Sequence, residues 1–209
     1  MVAEYPSRAQ SAELPADYLT DVRRTRTRLQ RFTEILDGPA PTSLAYTTAR
    51  LRTESAAWRR TDGRSGVSSA GRSFLRGIST NLDELRQQVS IVSAGTVTLS
   101  SHSGSIPVTV RNELAQPVSI QVYVESTRQD RLQVVQPPPV TVPAGGVAPV
   151  SVQAKAVANG PVEVRVRLRN SEGDPISDWQ SIKVQVTNYG TVGSVIIAGA
   201  TGLLFNSRP

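Results

Sequence analysis

The first candidate for chemistry is the single histidine of the chain. His102 lies in the run Ser100-Ser101-His102-Ser103-Gly104, and a serine beside a histidine is a pair used in nucleophilic catalysis. Neighbours in sequence on a tight turn rarely reach the geometry of a catalytic triad. No acidic residue lies nearby in sequence to orient the imidazole, and no GxSxG motif is present. We therefore expect His102 to be a hairpin-turn residue.

Oxygen-bearing side chains between residues 170 and 178 are the next candidates. They are Asn170, Glu172, Asp174 and Asp178. Ca²⁺ prefers oxygen ligands, but the spacing is not that of an EF-hand loop. A hairpin loop is the favoured interpretation, and a calcium site at a sheet edge is the alternative.

Other absences in the sequence narrow the classes of function. The chain of 209 residues has no cysteine, which excludes disulfides, thiol nucleophiles, Cys-ligated zinc and iron–sulfur clusters. No GxGxxG, phosphate-binding loop or HExxH motif occurs. We therefore predict a protein that is not an enzyme, with no cofactor and no bound metal.

The arginines are the remaining chemical feature. The chain carries 23 basic and 17 acidic residues, a net charge of +6, and only Lys155 and Lys183 are lysines. On a helix, Arg24, Arg28 and Arg31 share one face by their i, i+4, i+7 spacing. A solvated helix face is the favoured interpretation. Contact with anionic lipid or a wall polymer is an alternative, and nucleic acid is not expected because aromatic side chains for base stacking are missing there.

The elements that position these residues fall into four segments. Residues 1–13 form a polar tail without the apolar region of a signal peptide. Residues 14–91 are predicted to form three helices, separated by turn signals at residues 38–41 and 61–63. In the last helix, Phe74, Ile78 and Leu82 are expected to be buried.

The hydrophobic period changes from 3.6 to 2 near Val92. Residues 92–187 hold eight short segments in which apolar and polar residues alternate, with turn signals between them. This pattern predicts an antiparallel, immunoglobulin-like β-sandwich, with Val122 facing inward, Tyr123 facing outward and Trp179 as a candidate to fill the interior. The fold class is thus α+β with the helices and the sandwich segregated along the chain.

Residues 188–209 form a C-terminal segment that resembles a transmembrane helix. The run from Thr191 to Phe205 carries no charge, but its 15 residues span only about 22 Å as a helix against a hydrocarbon core of about 30 Å. A membrane anchor is the favoured interpretation, and a final strand with an apolar tail is the alternative. The predicted anchor residues are Tyr189, Val195, Ile196, Ile197, Leu203, Leu204, Phe205 and Arg208.

Several passages resemble a known family. They are Gly95–Leu99, Ser103–Asn112, Pro117-Val118 and Tyr189–Gly193. They are similar to the C-terminal part of an uncharacterised actinobacterial family of exported, membrane-anchored envelope proteins, encoded beside the MurJ/MviN-type lipid II flippase. The resemblance covers roughly residues 70–205. It implies an immunoglobulin-like module, one C-terminal transmembrane helix and a large extracytoplasmic region upstream, and it supplies no catalytic residue.

These features lead to one leading hypothesis for function. We expect a non-enzymatic, single-pass module of the cell envelope that acts as a spacer or docking domain at the outer face of the cytoplasmic membrane. Its partners would be membrane lipid, through the C-terminal segment, and another envelope protein or a wall polymer. This orientation needs an export signal, and none is recognisable in the chain, so we expect further sequence upstream. The alternatives are an accessory domain of an envelope enzyme whose catalytic part lies upstream, and a soluble cytoplasmic binding protein with an apolar tail.

Overall fold

The computed structural model of the chain describes residues 13–38, 41–59, 66–92 and 95–187. In these residues the chain forms three α-helices and one 3₁₀ helix, followed by nine β-strands. The helices are α1 (Ala16–Thr33), α2 (Pro41–Thr53) and α3 (Ser69–Gln87), with the 3₁₀ helix Ala56–Trp58 before α3. The strands are β1 (Val89–Val92), β2 (Thr96–Leu99), β3 (Ser103–Asn112), β4 (Val118–Ser126), β5 (Leu132–Val134), β6 (Val140–Val142), β7 (Val147–Ala156), β8 (Gly160–Arg169) and β9 (Gln180–Val186).

The predicted helical segment is present, and a capping residue explains where α3 begins. α1 follows Pro15, and Asp17 in its first turn and Arg31 in its last turn complement the helix dipole. α3 begins after Ser68, whose side chain accepts a hydrogen bond from the Gly71 N–H at 3.1 Å. α1 and α3 run in the same direction. Asp17 near the start of α1 pairs with Arg72 near the start of α3, and Arg28 further along α1 pairs with Asp83 further along α3.

The strands form two sheets that pack face to face. One described sheet has the order β1-β3-β7-β5 and the other the order β2-β9-β8-β4-β6. Neighbouring strands are antiparallel except for β2 and β9, which are parallel. All eight predicted strands are present, and the inward face of β4 is buried as the alternation predicts, with Val122 fully inaccessible.

The helices close one end of the sandwich and share its core. Leu29, Phe32 and Ile35 belong to the same buried cluster as the inward-facing residues of both sheets, and so does Leu82 of α3. The backbone after α1 also joins β4, since the Ser119 N–H donates to the Ile35 carbonyl at 2.7 Å. Residues 13–38, 41–59 and 66–87 therefore form a helical cap on one pole of the sandwich.

The start of the sheet differs from the prediction. The helical periodicity runs through Val89, but the structure ends α3 at Gln87 and places Val89–Val92 in strand β1, paired with residues 109–112 of β3. The predicted boundary between residues 91 and 92 therefore lies inside a strand. Within the cap, Phe74 is only partly buried and stacks on Trp58 with ring centroids 5.3 Å apart, whereas Ile78 and Leu82 are buried as predicted.

The predicted C-terminal segment lies outside the described residues, as do its predicted anchor residues from Tyr189 to Arg208. None of the helices formed by the described residues is long and apolar enough to cross a membrane.

Candidate functional site: an arginine cleft on the helical cap

The three arginines that were predicted to share one face of α1 form ion pairs with three different parts of the chain. Arg24 is exposed and pairs with Asp21 at 3.4 Å, one turn earlier on α1. Arg28 is half-buried and forms an ion pair with Asp83 of α3. Arg31 pairs with the loop between β8 and β9, where its Nε lies 3.0 Å from Asp174 Oδ2. The partners of these arginines therefore lie on α1 itself, on α3 and in the loop between β8 and β9.

A cleft between α1 and α3 brings two of these arginines together with two others. Among the described residues, Arg24 and Arg28 line one wall of a cavity of about 280 Å³, and Arg72 and Arg76 of α3 line the other. We call this cavity the arginine cleft. Sequence reasoning missed Arg72 and Arg76, although their i, i+4 spacing repeats that of Arg24 and Arg28. The missing information was that α1 and α3 are neighbours in space.

Two hydroxyl groups of the cleft are hydrogen-bonded to each other. Thr25 Oγ1 and Ser79 Oγ lie 3.1 Å apart, and both residues line the cleft. Tyr18 also lines it, but its hydroxyl donates to the Thr53 carbonyl at 2.9 Å. Burial raises the pKa of Tyr18, so this phenol stays protonated and acts as a packing residue of the cap.

The electrostatics of the cleft are dominated by crowded positive charge. Burial lowers the pKa of the Arg28 guanidinium, and the charges of Arg86 and Arg24 lower it further. A guanidinium remains protonated in proteins nonetheless. The lowered pKa therefore reflects first the burial of the Arg28 charge and then its repulsion by neighbouring cations, and an anion in the cleft would offset both.

The other residues singled out in the sequence lie elsewhere. His102 is exposed in the connection between β2 and β3. These strands belong to different sheets, so the predicted hairpin turn is wrong. The oxygen-rich loop after β8 is a turn in which the Asp174 N–H donates to Asn170 Oδ1 at 2.7 Å, and the Asn170 side-chain amide donates to Glu34. In the part of the chain that the structure describes, no three His, Asp or Glu residues lie close enough to hold a metal ion together.

A second polar cluster lies on the outer face of the five-stranded sheet. Tyr123 and Trp179 lie with ring centroids 5.9 Å apart. The Arg167 guanidinium carbon is 4.3 Å from the Trp179 centroid and 5.9 Å from that of Tyr123. Arg165 stacks on Trp179 at 5.0 Å, and Arg169 stacks on Tyr123 at 3.4 Å. We call these five residues the arginine–aromatic ladder.

The ladder corrects the expectation that Trp179 fills the sandwich interior. Trp179 is half-exposed, because it has the same parity as Ser181 and Lys183, which face outward on β9. Tyr123 faces outward as predicted.

Comparison with protein families identifies the chain. The sequence profile of a family of unknown function, DUF6049, matches residues 2–205. The chain belongs to the DUF6049 family. No curated protein matches it.

Solved structures resemble about half of this DUF6049 chain. WR4, an MSP family member of C. elegans, has 13% identity and a TM-score of 0.34, covering 48% of this chain and 98% of its own. PapD-like domain 7 of human CEP192 has 10% identity and a TM-score of 0.33, covering 48% and 84%. A FixG-related protein of Vibrio parahaemolyticus has 10% identity and a TM-score of 0.34, covering 48% and 94%. At these identities the likeness concerns the fold alone.

Removing the central ring of the ladder tests what it contributes to the DUF6049 fold. We expect Trp179→Ala to lower the free energy of unfolding by about 1–2 kcal/mol, because two partly exposed cation–π contacts are lost. Trp179→Phe keeps an aromatic face for Arg165 and Arg167 and should lose less than half as much. Urea denaturation followed by circular dichroism measures both. An alanine variant as stable as the parent would show that the stacking is energetically neutral.

Proposed function

We propose that this DUF6049 chain is a non-enzymatic spacer and docking module of the cell envelope. In this proposal residues 188–209 anchor it in the cytoplasmic membrane and the rest lies outside. The observation that supports the proposal most directly is that the helical cap and the end of the last strand lie at opposite poles of the sandwich.

The strand directions establish these two poles. β8 ends beside the cap, where Asn170 bonds to Glu34 of the helical segment, and β9 runs back from there. β9 ends at Val186, and the Thr187 N–H donates to the Leu99 carbonyl at 2.9 Å. The turns at residues 100–102, 127–131 and 157–159 lie at this same pole, which we call the open pole.

The length of the sandwich sets the distance between the poles. β3, β7 and β8 each contain 10 residues, and a strand rises about 3.3 Å per residue, so the sandwich is about 30 Å long. If residue 188 enters the membrane, the arginine cleft lies more than about 30 Å from the lipid. The Debye length at physiological ionic strength is about 8 Å, so lipid headgroups of that membrane would not attract the cleft. A wall polymer or another envelope protein is the better match.

The sheet edges are less suited to docking than the cap. In the described residues the four edge strands are β1, β5, β2 and β6, and each is only three or four residues long. Short edge strands present few unpaired backbone groups to a partner strand. We therefore assign docking to the cap, where a charged concave surface is available.

Single cysteines test the proposed orientation, because the parent chain has none. Thr20→Cys lies on the exposed side of α1 in the cap, and Ser101→Cys lies in an exposed turn at the open pole. The protein is expressed from its native gene in its native host. We expect a membrane-impermeant maleimide to label both sites in intact spheroplasts, and alkaline carbonate to leave the protein in the membrane. Energy transfer from the label to a membrane dye should be strong at residue 101 and weak at residue 20.

Each part of the proposal has its own contrary result. Labelling only after lysis would contradict the outside location, and release by carbonate would contradict the anchor. Equal energy transfer from both sites would contradict the spacer role. Labelling of a cysteine-free parent carried through the same steps gives the background.

A further inference from the structure

We infer that the arginine cleft binds a phosphate group of an anionic ligand. The inference deepens the proposed function, on which it rests for the ligand's source: a phosphate-bearing wall polymer. The chemistry itself is argued from the cleft alone. The ligand class assigned to the docking surface of the cap is therefore a phosphate-bearing anion.

The first argument is convergence. Arg24 and Arg28 come from α1, and Arg72 and Arg76 come from α3, so the described guanidinium groups face one cavity from two sides. A guanidinium carries its donors in a planar fork that matches the oxygens of phosphate. Donors that arrive from two walls suit a tetrahedral anion, which accepts hydrogen bonds in several directions, better than a planar carboxylate.

The second argument is uncompensated charge. Asp83 is shared, because it pairs with Arg28 and also lies 3.9 Å from Arg86. Arg72 pairs with Asp17 at 3.3 Å through side chains that are both about half-exposed, and such pairs contribute little. Within the described residues, Arg76 has no carboxylate within ion-pair distance. Arg24 pairs with Asp21 at 3.4 Å. Three of the four arginines therefore have a carboxylate partner, and Arg76 is the cation that the described carboxylates leave uncompensated.

The third argument is the floor of the cleft. Thr25 is buried and Ser79 half-buried, and their hydroxyl groups lie 3.1 Å apart. A hydroxyl both donates and accepts, so this pair can turn a donor toward a bound oxygen. The Arg28 side chain is more buried than that of Arg24, the other α1 arginine that lines the cleft. Solvent weakens an ion pair less where the site is partly buried.

The lining of the cleft argues against a nucleobase as the recognised group. A volume of about 280 Å³ is at the lower end of ligand pockets. The single aromatic residue of the lining is Tyr18, which is buried and bonded to a backbone carbonyl. Base recognition on single strands relies on stacking against exposed aromatic faces, so a phosphate without an adjacent base fits better.

Calorimetric titration of the full chain with pyrophosphate at low ionic strength tests the inference. We expect Arg72→Gln/Arg76→Gln to weaken binding by about ten-fold or more, since charge-assisted hydrogen bonds are lost. The matched control Arg23→Gln/Arg26→Gln removes the same charge from exposed positions of α1 outside the cleft lining and should weaken binding by less than about two-fold. Thermal melts of both variants check that the cap stays folded.

A variant that is expected to strengthen binding separates ligand binding from a structural role of the cluster. Asp21 lines the cleft and its carboxylate would repel a bound anion. We expect Asp21→Asn to tighten pyrophosphate binding by about three-fold. A purely structural role for the cluster predicts no such gain.

The ligand series identifies what would overturn the inference. Poly(glycerol phosphate) should bind in the same variant-dependent way, whereas citrate should bind much more weakly. No detectable binding of pyrophosphate, equal binding of citrate, or an equal loss in both arginine double variants would each overturn it. These assays contain no anchored protein, so their failure would leave the spacer proposal standing, and failure of the cysteine labelling would leave the cleft chemistry standing.

Discussion

Val122→Asp is expected to abolish the cooperative unfolding transition of the sandwich. Val122 lies on β4, which is flanked by β8 and β6, and its side chain is completely inaccessible. It lies opposite Leu168 of β8 in the strand register. A carboxylate placed there has no cationic partner in the apolar core. Burying an unpaired charge costs more than about 4 kcal/mol, which is a large fraction of the stability of a domain of this size.

Urea denaturation followed by far-UV circular dichroism measures this effect. Ser119→Asp is the matched control, because Ser119 lies on the same strand but is exposed on the opposite face. We expect this control to unfold within about 0.5 kcal/mol of the parent. A cooperative transition of Val122→Asp near the midpoint of the parent would contradict the inward orientation of that face of β4.

The sandwich was predictable from the sequence because strand periodicity assigns each side chain to a face. In β4, every second residue from Val118 to Val124 is apolar, and a shift by one residue would expose the whole set. The pairing registers agree with this assignment, since Val122 and Val124 meet Leu168 and Val166 of β8. One hydrophobic period therefore defined the inner face of the strand before any partner was known.

Strand β1 was not predictable, because its residues satisfy two periods at once. Val89 continues the helical series of Leu82 and Leu85, and it also alternates with Ile91 as in a strand. Both Val89 and Ile91 are buried. Local pattern does not separate these alternatives. The pairing of β1 with β3 decides between them, and that pairing joins residues about 20 positions apart.

The candidate site was predictable only in part, for a similar reason. Helical spacing correctly placed Arg24 and Arg28 near each other, but the partners of α1 arginines come from distant parts of the chain. Arg28 meets Asp83 and Arg31 meets Asp174. The distribution of charge around the cleft is therefore a property of packing, and periodicity within one helix does not contain it.

The end of β3 shows what a recognisable motif can encode. Ser103–Asn112 is one of the passages on which the family resemblance rests, and its last residue, Asn112, is fully buried. Its side-chain amide donates to the carbonyls of Gln116 at 2.8 Å, Pro143 at 3.0 Å and Val142 at 3.2 Å. Its Oδ1 accepts from the Leu114 N–H at 3.0 Å. The asparagine thus joins the β3–β4 and β6–β7 connections beneath the cap.

Asn112→Asp is expected to lower the free energy of unfolding by about 3 kcal/mol or more, although the two side chains have nearly the same shape. The carboxylate has no donor for the three carbonyl oxygens and repels them, so several buried acceptors lose their partner at once. Asn81→Asp makes the same change at an exposed position of α3 and should alter stability by less than about 0.5 kcal/mol. Chemical denaturation of both variants measures the difference.

The pH dependence of the Asn112→Asp variant tests the physical reason. A buried carboxyl that faces carbonyl oxygens is harder to ionise in the folded chain, so its pKa is raised above the unfolded value of about 3.9. With a raised folded pKa, the destabilisation is smallest below the unfolded pKa and grows as the pH rises through the folded pKa. In acid the protonated group also donates one hydrogen bond, which restores part of the network. A loss of stability that is equal at about pH 4 and about pH 7 would contradict this explanation, and the amide of Asn112 would then matter for its packing rather than for its donors.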